Sequence, residues 1–448
     1  MKKHVLALSV AAAFSFQQEA RAAAFALQEQ GVSGLGNAYA GAAAAAEDAS
    51  TVWWNPAGMV RLPRGSHFLA AGHLIDPSTK FTDNGSVPAA ASNPARVGPG
   101  GDSGQQAFVP NLFYATDIDP GWSFGFGLNA PFGLKTEYDA DWVGRFQGLT
   151  SQVRTLNFNA AFAFKLSERA SVGVGASYQR AEIDLITAVN YSGVAFGAGG
   201  AGLLSLIGGA GLEGRNTTGL EGDAWGWNVG GLYDVTQGLR VGAHYRSAIR
   251  YKTKGTTTFS SVPPLFASIP TLAAATSNGD VRLELETPSS FSVAAALRST
   301  DRLEFLADVT WTQWSTIGQL PIMRTTGPGN GQTLDTLTFN FDDAWRAGVG
   351  ANYRLGTFTF RAGAAYDQSP VPGATDRSVR LPDNDRYWLS LGVSWVPNAL
   401  NRFDIGYAYI QVKDAEINND QTARARGIVR GTYQADVHVV GVQYQFTF

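Results

Sequence analysis

Five histidines are the residues of this sequence best suited to acid–base chemistry: His4, His67, His73, His244 and His438. Nucleophilic catalysis needs a hydroxyl or thiol held against such a base. The sequence contains no cysteine, and His244, in "VGAHYRS", has no evident serine–acid constellation. No metal-ligand spacing, phosphate-binding loop or dinucleotide fingerprint is present. We therefore expect no enzyme, no metal and no cofactor, with a hydrolase as the alternative.

The composition differs from that of an ordinary soluble domain. Charged residues make up 16% of the chain, whereas about 25% is usual. The 34 basic and 37 acidic residues give a net charge of −3, so the charge does not favour nucleic acid as a partner.

The first residues have the pattern of an export signal. Lys2 and Lys3 precede an apolar stretch at 5–16, and Ala20-Arg21-Ala22 fits a small-residue cleavage site. We expect residues 1–22 to be a signal peptide, with an ordinary N-terminal helix as the alternative. No later apolar run approaches about 18 residues, so the sequence predicts no helical membrane span.

From about residue 66 onward, apolar residues alternate with polar or small ones. In "HVVGVQYQFTF" one face carries Val440, Val442, Tyr444, Phe446 and Phe448. A period of two is that of a β-strand with one apolar face. Short turns alternate with long connections along this region. The short turns lie at 116–121, 166–171, 234–239, 298–303, 354–358 and 396–402, and the long connections near 76–106, 131–151, 185–221, 253–280, 315–336, 368–384 and 413–431.

This alternation requires fourteen strands that begin and end on the short-turn side. In lipid every backbone group needs an internal partner, so a sheet there must close. Outer-membrane barrels have short turns on one side and long loops on the other. We predict an all-β membrane protein in the outer membrane of a Gram-negative bacterium, a fourteen-stranded antiparallel transmembrane β-barrel of residues 66–448. A soluble β-sandwich or propeller is the alternative.

Residues 23–65 lack the alternation. "GLGNAYAGAAAAAEDAS" predicts a short Ala-rich helix that ends near Glu47 and Asp48, and "WWNPAG" (53–58) is irregular because of its proline. A barrel of fourteen strands leaves a lumen. We predict that residues 23–65 form a small N-terminal hatch inside it.

Several motifs in the same order resemble the FadL family of outer-membrane transporters for long-chain fatty acids and other hydrophobic compounds, including its toluene-uptake members. They are "SGLGNAYAG", "NPAG", "APFGLKTEYDADWVGRF", "VGAHYRS", "TWTQWS", "AWRAGVGANY", "RAGAAYDQSPVP" and "LPDNDRYWLSLGVSW". The resemblance implies passive uptake in three stages. Substrate is captured at apolar outer loops, the hatch moves, and the substrate leaves sideways at a kinked third strand.

The kink is expected at Pro131, Phe132 and Gly133. Pro131 cannot donate to a neighbouring strand, and Gly133 permits bending. The resemblance makes Phe132 and Gly133 the inward kink, whereas the alternative is that Pro131 only starts a long loop.

In the hatch, the resemblance selects Asn55, Pro56 and Ala57, and it puts Phe25 near the pocket. We expect the Asn55 side chain to hydrogen-bond to backbone groups that the kinked strand leaves without a partner. The alternative is a purely local Asx turn. Asp367 matches an acidic position near the hatch, and its alternative is a solvated strand end.

Two predicted outer loops are unusually apolar. They contain Leu203, Leu204, Leu206, Ile207, Leu265 and Phe266. Exposed apolar patches mark interaction sites, so we expect a capture groove here. A flexible low-complexity loop is the alternative for the Gly-rich part.

One departure from the family concerns the substrate head group. Positions that are basic in the fatty-acid transporters read as Leu185 and approximately Leu337 here, although Arg154, Arg180, Arg346 or Arg361 are candidates to replace them. Loss of both favours a neutral substrate, because an unpaired carboxylate is costly in an apolar pocket.

The expected partners are a hydrophobic small molecule and the surrounding outer-membrane lipid and lipopolysaccharide, and the expected state is a monomer. A water-filled porin for small polar solutes is the alternative function.

Overall fold

The structure, a computed structural model, describes residues 24–93, 98 and 101–448. The expected signal peptide, residues 1–22, lies outside the described residues. Among the helices that the structure describes, none has the length and apolar character needed to cross a membrane.

A single antiparallel sheet closes on itself. Its first strand pairs with the second and with the last, for example Phe68 with Tyr114 and with Phe446. The described strand segments are β1 (Ser66–Asp83), β2 (Ala107–Asp119), β3 (Trp122–Asn129), β4 (Gly133–Glu137), β5 (Thr150–Lys165), β6 (Ala170–Asn190), β7 (Glu213–Asp234), β8 (Leu239–Arg246), β9 (Ile249–Ser260), β10 (Gly279–Thr287), β11 (Ser290–Arg298), β12 (Leu303–Thr312), β13 (Gln319–Arg324), β14 (Thr333–Thr338), β15 (Ala344–Leu355), β16 (Phe358–Asp367), β17 (Arg386–Asn398), β18 (Asn401–Asp420) and β19 (Ile428–Thr447).

Five strands of the wall consist of two segments each, namely β3/β4, β8/β9, β10/β11, β12/β13 and β14/β15. The wall therefore has fourteen strands, and the predicted barrel is confirmed. Side chains alternate across it: in β19, Val440 and Val442 point outward and are exposed, whereas Val437 and Val439 are buried. An apolar exterior of this kind suits lipid.

The strands run further on the long-loop side than the sequence predicted. β7 has 22 residues, which at about 3.3 Å per residue is roughly 70 Å, more than twice the roughly 30 Å of bilayer hydrocarbon. Pairs such as Ile186 with Thr217 lie inside the predicted connection 185–221. The predicted extent of that connection was therefore wrong, because cross-strand pairing satisfies the backbone beyond the membrane as well as within it.

Residues 24–65 form a hatch inside the barrel. It contains α1 (Val32–Leu35), α2 (Ala42–Ala45), α3 (Thr51–Trp54) and a 3₁₀ helix at Pro56–Arg61. The predicted Ala-rich helix is limited to the single turn of α2. Ala38 and Tyr39 before it have φ of 55° and 58°, a conformation that ends a right-handed helix. The turn brings the Tyr39 ring to 5.3 Å from that of Trp54.

Glycines let the hatch approach the wall backbone to backbone. A Cβ on Gly392 of β17 would lie 2.7 Å from the Cα of Gly36, and one on Gly363 of β16 would lie 2.2 Å from the carbonyl oxygen of Asn37. Both distances are too short for any side chain, so these positions require glycine.

Ion pairs fix the other side of the hatch. Arg361 of β16 donates to both carboxylate oxygens of Glu47, and Arg402 of β18 lies 3.5 Å from it. Burial alone would raise the pKa of Glu47, but Arg361 and Arg402 lower this pKa to about 2. Glu47 is therefore ionised at neutral pH.

The outer loops contain α4 (Tyr191–Leu206), α5 (Pro270–Thr276) and 3₁₀ turns at Pro264–Ser268, Trp314–Thr316 and Thr422–Arg424.

Candidate functional site

The third strand of the wall is interrupted. β3 ends at Asn129 and β4 begins at Gly133. β2 pairs with β3 only from Leu112 onward, whereas residues 107–111 of β2 pair with β1. In the described part of the chain β4 pairs with β5 and not with β2. A gap in the wall therefore lies between residues 107–111 and β4.

The gap has defined limits. At one end, the pairing of β2 with β3 resumes at Leu112. At the other, the N–H of Ser103 donates to the carbonyl oxygen of Thr79 at 2.9 Å, and the Ser103 carbonyl accepts from the N–H of Glu137 at 3.3 Å. Pro110, in the stretch of β2 that pairs with β1 but not with β3 or β4, has no N–H that would need a partner.

The N-terminal segment, residues 24–30, pairs with the kink from inside the barrel. The N–H of Gly133 donates to the carbonyl oxygen of Phe25 at 2.8 Å, and the N–H of Leu27 donates to that of Pro131 at 2.8 Å. A short extended piece of the hatch thus takes the place that β2 leaves.

Gln30 and Thr155 satisfy further groups at the kink. Gln30 Nε2 donates to the Ala130 carbonyl at 2.8 Å, and Asn129 Nδ2 donates to Gln30 Oε1 at 2.6 Å. The Phe132 N–H donates to Thr155 Oγ1 at 2.9 Å. Sequence reasoning missed both residues, because a glutamine and a threonine carry no signal until the open backbone groups of the kink are located.

Asn55 contacts the wall at β7 and β8, not at the third strand. Its Nδ2 donates to the carbonyl oxygens of Ala43, Gly231 and Ala243 at 2.7, 3.1 and 3.3 Å, and its Oδ1 accepts from the N–H of Ala57 at 3.1 Å. The expected contact of Asn55 with the kink was therefore wrong, because the N-terminal segment occupies that place. The local turn and the wall contact exist together.

Pro56 and Ala57 pack against the adjacent wall. A Cβ on Gly173 of β6 would lie 2.4 Å from the nitrogen of Ala57 and 2.9 Å from the Cβ of Pro56. The "NPAG" motif is thus the part of the hatch that lies against β6, β7 and β8.

An apolar cluster fills the lumen between the N-terminal segment and the outer loops. The Phe25 ring centroid is 5.0 Å from that of Trp314 and 5.6 Å from that of Phe132. The buried members of the cluster are Ala24, Phe25, Phe132, Leu134, Ile183, Leu185, Leu220, Val281, Leu283, Leu285, Trp314, Ile317, Ile322, Phe341, Ala344, Val371 and Leu381. Kink, hatch and outer loops therefore meet in one hydrophobic region.

Leu185 and Leu337, the positions that the resemblance associated with the substrate head group, both belong to this region. Leu185 is a buried member, and Leu337 packs against the apolar cluster. The four arginines considered as replacements all pair with carboxylates: Arg154 with Asp184, Arg180 with Glu221, Arg346 with Asp308, and Arg361 with Glu47. The surroundings of the cluster are thus hydrocarbon, without a cation from these four.

Two buried carboxyl groups share the same arginines. Glu29 and Asp367 both interact electrostatically with Arg346 and Arg386. Among the described residues, Oδ2 of Asp367 has no hydrogen-bond partner. Burial raises the pKa of Glu29 to about 7, although the two arginines oppose this. Asp367 is 4% exposed, so its alternative as a solvated strand end was wrong.

The two apolar outer loops pack together. Leu203 and Ile207, at the end of α4, contact a buried core that contains Phe266. Leu206 is 76% exposed, and Leu204 and Leu265 are partly exposed. The loops therefore combine a packed core with an apolar surface.

The described histidines have different partners and do not form one cluster. His73 Nδ1 lies 3.4 Å from the Val109 carbonyl oxygen, and His438 Nδ1 lies 2.7 Å from the hydroxyl of Tyr407. In the same part of the chain, no group of three or more histidine or acidic side chains could hold a metal ion.

Comparison with known proteins agrees with this architecture. The model of the family described as "Outer membrane protein transport protein (OMPP1/FadL/TodX)" matches residues 13–448. The long-chain fatty acid transport protein of Salmonella typhi is 32% identical over 432 residues, which cover 92% of each chain.

Solved structures show the same fold. A Pseudomonas aeruginosa FadL homologue superimposes with a TM-score of 0.86 at 23% identity, over 95% of this chain and 100% of the other. The Ralstonia pickettii toluene transporter TbuX gives a TM-score of 0.63 at 21% identity, over 89% and 94%. This chain is an outer-membrane protein that belongs to the OMPP1/FadL/TodX family of transport proteins.

Proposed function

We propose that this protein carries poorly water-soluble compounds passively across the outer membrane. Its relatives include a long-chain fatty acid transport protein and its structural neighbours include a toluene transporter. The single observation that carries the proposal is the junction of an apolar cluster, a hatch segment and a gap in the wall at Phe25, Phe132 and Gly133.

The physics favours a sideways route. Wetting apolar surface costs about 25 cal/mol per Å², so a water-filled pore helps a hydrophobic solute little. A path that empties into the bilayer avoids this cost. The solute is first held at the apolar loops around Leu206 and Phe266. It then enters the apolar cluster and leaves through the gap between β2 and β4.

The hatch controls this path. The ring of Phe25 occupies the apolar cluster, and its carbonyl holds Gly133. A solute that enters the cluster competes with this ring, and movement of the N-terminal segment then opens the way to the gap. "NPAG" keeps the remainder of the hatch against β6, β7 and β8. Asp367 acts on the hatch through Arg346, whose Nη2 donates to the Ala38 carbonyl. No catalytic step is involved.

The alternative function, a water-filled porin, requires an open lumen, whereas the hatch lies in the lumen of this barrel. It also conflicts with the family to which the chain belongs. We further propose that residues 1–22 are the export signal and that the protein is a monomer surrounded by lipid and lipopolysaccharide.

Restoration of a regular third strand tests the route. The triple variant Pro131→Val, Phe132→Thr, Gly133→Val removes the kink, and Pro397→Val at an exposed turn is the matched control. In a transporter-deficient strain, we expect uptake of radiolabelled hexadecanoic acid and of toluene to fall several-fold in the triple variant only. Unchanged uptake, with the variant present as a folded barrel in the membrane, would show that solute does not leave through the gap.

A further inference from the structure

The hairpin of β13 and β14 contributes one face to the apolar cluster. It lies on the long-loop side of the barrel, and its two segments pair with each other. Ile322 is 2% exposed and belongs to the cluster, and Leu320, Leu334 and Leu337 pack against it. The hairpin therefore covers part of the cluster on its outer side.

The edge of the hairpin formed by β13 is fixed to the wall through the backbone. Arg324 pairs with Val281 of β10, and the N–H of Thr325 donates to the carbonyl oxygen of Asp280 at 2.9 Å. The Arg324 side chain is buried, and its Nη1 donates to the carbonyl oxygen of Ser277 at 2.7 Å. This edge has the attachments of a hinge.

The edge formed by β14 has no wall strand beside it. β16, the partner of β15, ends at Asp367 near the start of β15, so β14 extends beyond the strand that would pair with it. The turn between β18 and β19 contacts this edge through side chains. Arg424 Nη1 and Arg426 Nη2 lie 3.2 and 2.9 Å from the carboxylate oxygens of Asp335. Arg424 Nη1 also donates to the carbonyl oxygen of Thr336 at 3.0 Å.

Open space adjoins these ion pairs. Two cavities, of about 160 and 230 Å³, are both lined by Asp335, Arg424 and Arg426. One water needs roughly 10–15 Å³ of such space, so each cavity has room for several waters. The Arg424 side chain is 44% exposed, and ion pairs that water reaches are weak. The contact can therefore break without disturbing a packed core.

The smaller cavity lies between the two apolar outer loops and the apolar cluster. Val189 and Val194 line it and also pack against the core that contains Phe266. Leu334 lines it as well and packs against the apolar cluster. Asp335, next to Leu334, thus lies between the surface where solute is proposed to be held first and the cluster that it enters.

Resting on the proposed function, we propose that the β13–β14 hairpin is an outer lid. It turns about its β13 edge, and the ion pairs of Asp335 with Arg424 and Arg426 close it. Opening joins the two cavities and uncovers the inner face at Ile322, which admits solute from the apolar loops to the cluster. Closing separates the cluster from the outer medium while the hatch still covers the gap in the wall.

Cross-linking of the lid edge tests this in cells, because the chain has no cysteine of its own. The double variant Asp335→Cys, Arg426→Cys lacks the ion pairs, and dithiobismaleimidoethane, whose central disulfide a reductant cleaves, ties the two positions together. In a transporter-deficient strain, we expect uptake of radiolabelled hexadecanoic acid and toluene to fall several-fold upon cross-linking and to recover with dithiothreitol. Uptake that is equal before and after cross-linking would overturn the lid.

The double variant Asn418→Cys, Arg430→Cys is the matched control. These two exposed residues pair across β18 and β19, so their cross-link does not span the hairpin and should leave uptake unchanged. A fall as large as that of the lid pair would also overturn the proposal. If the unmodified protein gives no more uptake than the strain without it, the proposed function itself fails. If it does, and a cross-linked lid does not slow uptake, only the lid is wrong.

Maleimide labelling of Ile322→Cys in the purified protein gives a second readout that does not depend on uptake. The side chain at this position is buried, so a thiol there should react only when the lid opens. Adding Asp335→Asn should speed labelling roughly fivefold, since two partly exposed ion pairs contribute little each. Asp414→Asn, which removes an exposed carboxylate of β18, should not change the rate.

Salt separates the ion pairs from a merely structural role of Asp335. Higher sodium chloride concentration screens charges, so it should speed labelling of Ile322→Cys. It should have no such effect when Asp335→Asn is also present. A labelling rate that depends neither on salt nor on Asp335 would refute the proposed closure.

Discussion

The backbone N–H of Gly133, in the interrupted third strand, donates to the carbonyl oxygen of Phe25 in the hatch over 2.8 Å. The ring of the same phenylalanine lies in the apolar cluster against Trp314. One residue therefore links the apolar cluster to the kink from inside the barrel. Under the proposed function, we expect displacement of its ring by a ligand to weaken its backbone bond to the kink.

Leu27→Pro should weaken this closure. The substitution removes the N–H that donates to Pro131, and the loss of one such bond costs about 1 kcal/mol. Hydrogen–deuterium exchange at the Gly133 amide should then accelerate roughly fivefold, while the barrel strands stay protected. Ala26→Pro is the control, because the Ala26 N–H donates no hydrogen bond in the described structure. Equal acceleration in both variants would mean that the pairing itself is unimportant.

Asn55→Asp should loosen the hatch from β7 and β8. The aspartate has the same shape but lacks the Nδ2 donor, so the carbonyls of Gly231 and Ala243 lose their contact and face a carboxylate. A buried carbonyl that is left without a hydrogen-bond partner destabilises the structure by about 1–3 kcal/mol. We expect larger and more frequent current steps in planar bilayers. Asn398→Asp should leave the current as it is, because Asn398 Oδ1 serves as an acceptor in an exposed turn, a role that aspartate also performs.

The seated N-terminal segment should be less stable at high pH. The pKa of Glu29 is about 7 when buried and 4.5 when free, so the buried state binds the proton more tightly. This favours the seated state below about pH 4.5, and the advantage is lost as pH rises to 7. The difference corresponds to roughly 3 kcal/mol. Exchange of the amides of residues 25–30, corrected for intrinsic rate, should therefore rise from pH 5 to 8, and Glu29→Gln should abolish that rise. A slope that persists in Glu29→Gln would assign it to another group.

Trp314→Ala should hollow out the apolar cluster. Trp314 is 2% exposed and packs against Phe25, Phe132 and Phe341. Loss of a buried tryptophan costs about 3–5 kcal/mol, so the midpoint of urea unfolding in detergent should fall. The variant should also bind bulkier hydrophobic ligands better than smaller ones. Trp225→Ala, on the exposed outer face, should change neither quantity much, and a fall as large as that of Trp314→Ala would count against a special role for the cluster.

The wall of the barrel could be predicted from the sequence because its determinants are local. The alternation in β19 and the short turn between β17 and β18 are properties of neighbouring residues. The full length of β7 was missed, since its outer half, with Asn216, Thr217 and Thr218, lacks the apolar face that lipid imposes.

The site was harder to predict, because its contacts join distant parts of the chain. Pro131 and Gly133 indicated where pairing would fail, but no local pattern shows that Phe25 and Gln30 would repair it. Asn55 was assigned to the wrong strand for the same reason. The position of the hatch depends on glycines such as Gly363 and Gly392, whose partners lie more than 300 residues earlier in the chain.

The pairing of β1 with β19 has a consequence for biogenesis. His67 and Thr447, partners across this junction, are 380 residues apart. Closing so long a loop is entropically unfavourable, so we expect this contact to form only after nearly all other strands are aligned. Until then β1 and β19 present unpaired edges that are prone to aggregate. The hatch directly precedes β1, so it must already lie on the lumen side when the ring closes, or enter afterwards from the end where the turns are short. Assembly order, and not only stability, thus decides whether a sealed transporter or an open ring is produced.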